Sequence, residues 1–210
     1  MNRQLWWEVA RASGLVGWFL CTLAVVWGLA LSTRLLGKRP GPAWLLDLHR
    51  FLGGLATMFV IIHVGALVAD SYVHFGLAEV LVPLASSWKP GPVAWGIAGF
   101  YLLAAAEVTS LARRRLPGRV WRLVHAASLP LWVVATVHLV TAGTDAGNGI
   151  VRSAALLSTG AVLFFALVRV LSPRPQPSSE RRQMAEARTP TPRGQAMRRP
   201  ERNSDRILMK

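Results

Sequence analysis

Cysteine and acidic residues are scarce in this chain of 210 residues. It has one cysteine, Cys21, and 10 Asp and Glu against 24 Lys and Arg. One cysteine excludes an internal disulfide and a cysteine-ligated iron–sulfur cluster, and the lack of a C-x-x-C-H motif excludes covalent c-type haem. We interpret Cys21, which lies in an apolar run, as a helix-packing residue.

Nucleotide-binding motifs are also missing. The sequence has neither G-x-G-x-x-G nor a P-loop pattern, and none of its polar stretches is long enough for a nucleotide domain. We therefore expect no flavin or NAD(P)H domain in the chain. Any redox role would need an electron donor from outside it.

The excess of positive charge points to a membrane and not to nucleic acid. The formal net charge is +14, yet only 16% of residues are charged and 52% are hydrophobic. Most basic residues flank apolar runs or lie near the C-terminus, as in polytopic membrane proteins. We predict a multi-pass protein of the cytoplasmic (inner) membrane without a nucleic-acid partner.

Five apolar runs reach the ~20 residues that a membrane-spanning helix needs. The predicted fold is therefore an all-α membrane bundle, with a first connection at Gly37–Pro42 and a segment, Asp70–Trp88, too short to span. That segment could lie along the membrane interface or dip into the bundle. The predicted helices are Gly14–Leu36, Trp44–Ala69, Pro92–Leu111, Val120–Ala142 and Ile150–Leu171.

Basic residues predict the orientation. They concentrate around the first and third connections and after Arg169, which places these regions in the cytoplasm by the positive-inside rule. Residues 1–13 would then form an N-terminal extracytoplasmic segment, and 14–171 the membrane domain. Residues 172–210 are rich in Pro, Arg, Ser and Gln, and we predict a basic, disordered cytoplasmic tail that attracts anionic lipids.

Four of the five histidines lie in two of the predicted helices. His49 and His63 are fourteen residues apart, so they share a helix face and are separated by ~21 Å. His125 and His138 are thirteen residues apart, which puts them ~140° apart on an ideal helix. Either Pro130 distorts that helix or the two rings point in different directions.

The level-matched pairs, His49 with His125 and His63 with His138, could each ligate one iron of a non-covalent haem b. Histidine is costly in hydrocarbon and needs a partner, although a lone one is often an interhelical hydrogen-bonder. Zinc is the competing metal, but two histidines at each level are too few for a closed zinc site. Arg50 and Arg122 could pair with haem propionates or serve as ordinary membrane anchors. We interpret His74 as a loop histidine.

These residues resemble the ferric reductase-like transmembrane domain, a family that includes ferric reductases, NADPH oxidases and the haem subunit of a bacterial methionine sulfoxide reductase system. The resemblance is carried by His49-Arg50 with His63, and by Trp121-Arg122-Leu123-Val124-His125 with His138. It implies two stacked b-type haems that carry electrons across the membrane. His49 and His125 would hold the inner haem, and His63 and His138 the outer one.

The resemblance predicts a transmembrane b-type cytochrome, the membrane subunit of an oxidoreductase. Its donor would be a cytoplasmic reductase or flavoprotein, or a quinol, so that flavin or quinone enters through a partner. Its acceptor would be extracytoplasmic. The alternative hypothesis is a haem-free membrane anchor or assembly subunit of a larger complex. A transporter or channel is disfavoured, because no inverted repeat is evident.

Overall fold

Helices follow from the apolar composition, because backbone groups in hydrocarbon must bond within their own segment. The computed structural model describes residues 3–33, 43–70 and 75–172, and the first connection, His74 and residues 173–210 lie outside them. Five of its helical segments are long and apolar enough to cross a membrane, as the sequence predicted. The helices are α1 (Arg3–Thr33), α2 (Ala43–Ala69), α3 (Leu77–Leu81), α4 (Pro90–Leu111), α5 (Gly118–Ala126), α6 (Ser128–Ala142) and α7 (Gly149–Leu171).

The first helix begins earlier than the sequence predicted, at Arg3 and not at Gly14. Residues 3–13 are therefore helical and continuous with the first span. Glu8 and Arg11 form an ion pair of 3.0 Å one turn apart, and Ala10 is buried. Pairs at this spacing and a packed face both favour helix over coil.

The fourth span is broken at Ala127, which separates α5 from α6. Pro130 has no N–H to offer to the carbonyl of Ala126, so the regular bonding pattern fails there. The Ala127 N–H instead donates to the Val124 carbonyl three residues back, at 3.0 Å, and the Leu131 N–H donates to Ala127, at 2.9 Å. Of the two alternatives left open by the sequence, the distorted helix is the one observed.

Two indole–hydroxyl bonds join α1 to α6 across the middle of the bundle. Trp18 Nε1 donates to Thr136 Oγ1 at 3.0 Å, and Trp132 Nε1 donates to Thr22 Oγ1 at 3.0 Å. Tryptophan and threonine are four residues apart on each helix, so the two bonds are reciprocal in an antiparallel pair. This clamp fixes how α6 is placed along α1.

The short segment between α2 and α4 packs onto the bundle and does not cross it. Phe75 and Val80 are buried in a cluster with Val93 and Ile97 of α4. On α7, Val162 packs with Val25, Leu29 and Trp132, so α7 covers the side of α1 and α6. The four membrane histidines are carried by α2, α5 and α6, and α1 and α4 contact their rings.

Candidate functional site

The structure brings the four membrane histidines together as two pairs. The ring centres of His49 and His125 are 5.9 Å apart, and those of His63 and His138 are 6.3 Å apart. The planes within each pair are nearly perpendicular, at 81° and 78°. The fourteen-residue spacing puts both α2 rings on one face, and the break at Ala127 turns both rings of the fourth span toward them.

Three of the four rings are oriented by a backbone carbonyl. Nδ1 of His63 lies 2.7 Å from the Ala10 oxygen, Nδ1 of His138 lies 2.8 Å from the Pro92 oxygen, and Nδ1 of His49 lies 3.1 Å from the Ala24 oxygen. A carbonyl can only accept, so in each bond Nδ1–H donates. The neutral ring then has its lone pair on Nε2, the arrangement that metal-binding histidines use.

His125 is held differently. Its ring stacks on Trp121, with centres 5.0 Å apart and planes at 16°, and the Arg113 guanidinium lies 4.3 Å from the centre of the Trp121 ring. Within the described part of the chain, His125 Nδ1 and Trp121 Nε1 are buried without a hydrogen-bond partner. This ring is oriented by stacking and not by a hydrogen bond.

A cavity of about 200 Å³ adjoins the His63–His138 pair. Arg11 and Asp145 stand on its wall and form an ion pair of 2.5 Å that ties α1 to the connection before α7. The rest of the wall consists mostly of apolar side chains and glycines. It includes Gly14, Gly17, Ala56, Val60, Gly96 and Gly99.

Charged residues near the His49–His125 pair do not converge on it. Arg50 is exposed and pairs with Asp47 at 3.3 Å, and Arg122 is exposed near Gly118. Glu107 of α4 lies against Gly53 of α2 and forms no ion pair among the described residues, including the Arg113–Arg115 cluster.

A protein-only metal site is absent from the described ranges. No three side chains among His, Cys, Asp and Glu there converge closely enough to hold a metal ion. Each histidine pair offers two ring nitrogens and no further protein donor of this kind. Such a pair suits a metal whose other ligands come from a macrocycle.

Residues 13–136 match the family model described as ferric reductase like transmembrane component. The chain belongs to this ferric reductase-like family. The match contains His49, His63 and His125 and ends two residues before His138. Neither the search of curated proteins nor that of solved structures found a match to the chain.

Membership in the ferric reductase-like family and five membrane-length helices make this a multi-pass membrane protein of an electron-transfer type. The family and the pairing of the rings could be predicted from the sequence, but not the three carbonyls and the indole that orient the rings. For the two rings of α2, the sequence of α1 carries a signal of where they are held. Gly14 and Gly28 are fourteen residues apart, like the two histidines of α2 that they face.

Proposed function

We propose that this chain is a transmembrane b-type cytochrome that holds two non-covalent haems between α2 and the fourth span. His49 and His125 would ligate one haem, and His63 and His138 the other. The reaction is one-electron transfer across the membrane, in the manner of the ferric reductase-like family. The proposal rests chiefly on the spacing of the two histidine pairs.

The ring distances suit a metal held between the two imidazoles of each pair. With metal–nitrogen bonds of about 2 Å, two imidazoles on opposite sides of one metal have ring centres roughly 6 Å apart. The observed 5.9 and 6.3 Å agree with this value. The bonds from Nδ1 to carbonyls leave Nε2 as the ligating atom on three rings. At the His63–His138 pair, the adjoining cavity with its mostly apolar wall supports a place for a flat apolar ring.

A bound haem would supply an iron that takes up and releases one electron, and two histidines would leave it without an open position. The chain's own residues orient the imidazoles and surround them with apolar side chains. His49 and His63 are about 21 Å apart along α2, so two centres can divide the thickness of the membrane between them. This arrangement supports electron relay over chemistry at the metal.

Direction and partners follow from the charges. We place the protein in the inner (cytoplasmic) membrane. By the positive-inside rule, its Arg113–Arg115 end lies on the cytoplasmic side. The His49–His125 pair would then receive electrons from a cytoplasmic reductase or flavoprotein, or from a quinol. The His63–His138 pair would deliver them to an extracytoplasmic acceptor. Arg50 and Arg122 would pair with haem carboxylates at the cytoplasmic end.

The proposal is tested by counting haems in histidine variants of the purified full-length protein. We expect two haems per chain in the wild type, with b-type reduced spectra. Each single substitution, His49→Ala, His63→Ala, His125→Ala or His138→Ala, should remove one haem. The double variant His63→Ala/His138→Ala should lose no more than either single variant, whereas His49→Ala/His63→Ala should lose both haems.

The control for this series is His74→Ala, which should keep both haems. Wild-type protein from haem-supplemented cells with no Soret band would refute the proposal. It would favour the haem-free anchor or assembly subunit. A full haem content in the four single variants would refute the assignment of the ligands.

The donor is tested with the same protein. Reduction of the haems by a quinol in the absence of any other protein would identify a quinol-linked cytochrome. Reduction only after addition of a flavoprotein reductase with NADH or NADPH would identify a flavoprotein-linked one. Reduction by dithionite alone would contradict both donor assignments.

A further inference from the structure

Three histidines share one local arrangement, which combines a carbonyl with a glycine four residues later. The Ala10 carbonyl is followed by Gly14, Ala24 by Gly28, and Pro92 by Gly96. The ring bonded to each carbonyl also lies against the glycine that follows it. We call each combination a glycine–carbonyl seat. The three seats hold His63, His49 and His138, respectively.

The glycine is required because of the direction of helical side chains. A side chain on a helix covers the turn before its own Cα, where the carbonyl four residues earlier lies. A Cβ on Gly96 would lie 2.7 Å from Cε1 of His138, and one on Gly14 would lie 2.9 Å from Nδ1 of His63. A Cβ on Gly28 would lie 3.0 Å from Cε1 of His49. Each glycine therefore leaves room for one imidazole.

The seats on α1 repeat with the same period as the rings on α2. Gly14 and Gly28 are fourteen residues apart, and so are His49 and His63. The two helices run antiparallel, since Gly14 meets His63 and Gly28 meets His49. Although α1 contributes no histidine, it orients both rings of α2.

The fourth ring has no seat. A seat for His125 would need a second glycine on α4, thirteen or fourteen residues beyond Gly96. These two positions hold Thr109 and Ser110. The carbonyls four residues before these positions, those of Ala105 and Ala106, already accept from Thr109 Oγ1, at 2.7 and 3.2 Å. His125 is instead the ring that stacks on Trp121.

We propose that Gly14, Gly28 and Gly96 are positioning residues that fix the orientation and the Nδ1–H tautomer of three of the four haem-ligating histidines, and that His125 lacks this device. The His63–His138 centre then has two seated ligands and the His49–His125 centre has one. This inference rests on the proposed function for its role, because the seats orient Nε2 toward the metal.

The test replaces each seat glycine by alanine in the full-length protein. Gly96→Ala and Gly14→Ala should lose most of the low-spin haem signal of the His63–His138 centre, which is the signal that His63→Ala removes. They should keep the signal of the His49–His125 centre, which is the one that His49→Ala removes. Gly28→Ala, whose added Cβ has more room, should keep its haem but shift the electron paramagnetic resonance signal of the His49–His125 centre. The midpoint potential of that centre should rise, since losing the bond to the Ala24 carbonyl lowers the basicity of the ligand.

The matched controls are Gly54→Ala and Gly65→Ala on α2 and Gly160→Ala on α7. An added Cβ at these positions meets nothing within 4 Å. Alanine is a better helix former than glycine, so the controls should raise the melting temperature and leave both haem signals unchanged. Seat variants should lower it.

The selectivity for one centre keeps the outcome interpretable. A variant that loses one signal and keeps the other is folded, and the loss supports the proposal. Loss of both signals in Gly14→Ala and Gly96→Ala, or spectra identical to those of the controls, would overturn it.

If the purified protein holds no haem, the proposed function fails, but the seats can still be examined. The histidine side-chain ¹⁵N spectrum should then show His49, His63 and His138 as Nδ1–H tautomers and His125 as a mixture. Mixed tautomers at all four rings would overturn the seats independently of haem.

Discussion

The two histidine centres are built to different degrees, although their ring spacings are nearly the same. At the His63–His138 centre both rings bond a carbonyl, and a cavity adjoins them. At the His49–His125 centre one ring bonds a carbonyl and the other stacks on an indole. Equal ring distances therefore do not imply equal constraint. A hydrogen bond fixes a tautomer and a rotation, whereas stacking fixes only the plane of a ring.

This difference follows from the helices that support each ring. The His63–His138 centre is flanked by unbroken stretches of α1 and α4, whose glycines expose their carbonyls. His125 lies at the end of α5, two residues before the break at Ala127. The break turns this ring toward His49. On α4, the carbonyls that could form a seat for it are those of Ala105 and Ala106, and both already accept from Thr109 Oγ1.

The largest effect is expected where the break is removed. Pro130→Ala restores an N–H that the Ala126 carbonyl can accept, which favours one continuous helix. A regular helix would turn His125 roughly 140° away from the direction of His138. We expect most of the haem at the His49–His125 centre to be lost and the other centre to be kept, as measured by haem content and low-spin spectra.

The control for Pro130→Ala is Val133→Ala, at an exposed position on the same helix. It should retain both centres. Equal retention of both haems in Pro130→Ala would show that packing against α1 and α4, and not the proline, sets the break.

A smaller effect is expected at the stack. Trp121→Ala removes the face on which the His125 ring lies, and aromatic pairs contribute about 1 kcal/mol beyond their buried area. We expect about fivefold weaker haem retention at the His49–His125 centre, measured by transfer of haem to an excess of apomyoglobin. Trp121→Phe should restore most of the retention, and Trp95→Ala, at an exposed position on α4, should change neither centre. A loss at the His63–His138 centre would contradict this reading of Trp121.

The smallest effect is expected at the ion pair beside the cavity. Arg11→Gln breaks the bond to Asp145 that ties α1 to the connection before α7. The pair is partly open to solvent, and such pairs contribute little and are screened by salt. We expect a lower melting temperature at low salt, a smaller decrease at high salt, and unchanged haem content at the His49–His125 centre. Glu8→Gln removes only an exposed contact within α1 and should have no measurable effect.

Much of the site can be predicted from the sequence because the membrane restricts the alternatives. Apolar runs of spanning length must be helices, and fourteen residues return a helix nearly to the same face. The spacing alone therefore places His49 and His63 on one face of a helix. The thirteen-residue spacing of His125 and His138 left two arrangements open, because the effect of Pro130 depends on what packs against that helix.

The sequence by itself determined the five spans, the family and the residues that form each histidine pair, since these depend on hydropathy, spacing and residue type. Only the tertiary structure decided how each ring is held. The bonds from His63 to Ala10 and from His138 to Pro92 join residues 53 and 46 positions apart. Such contacts arise from the packing of one helix against another, which periodicity along a single helix does not encode.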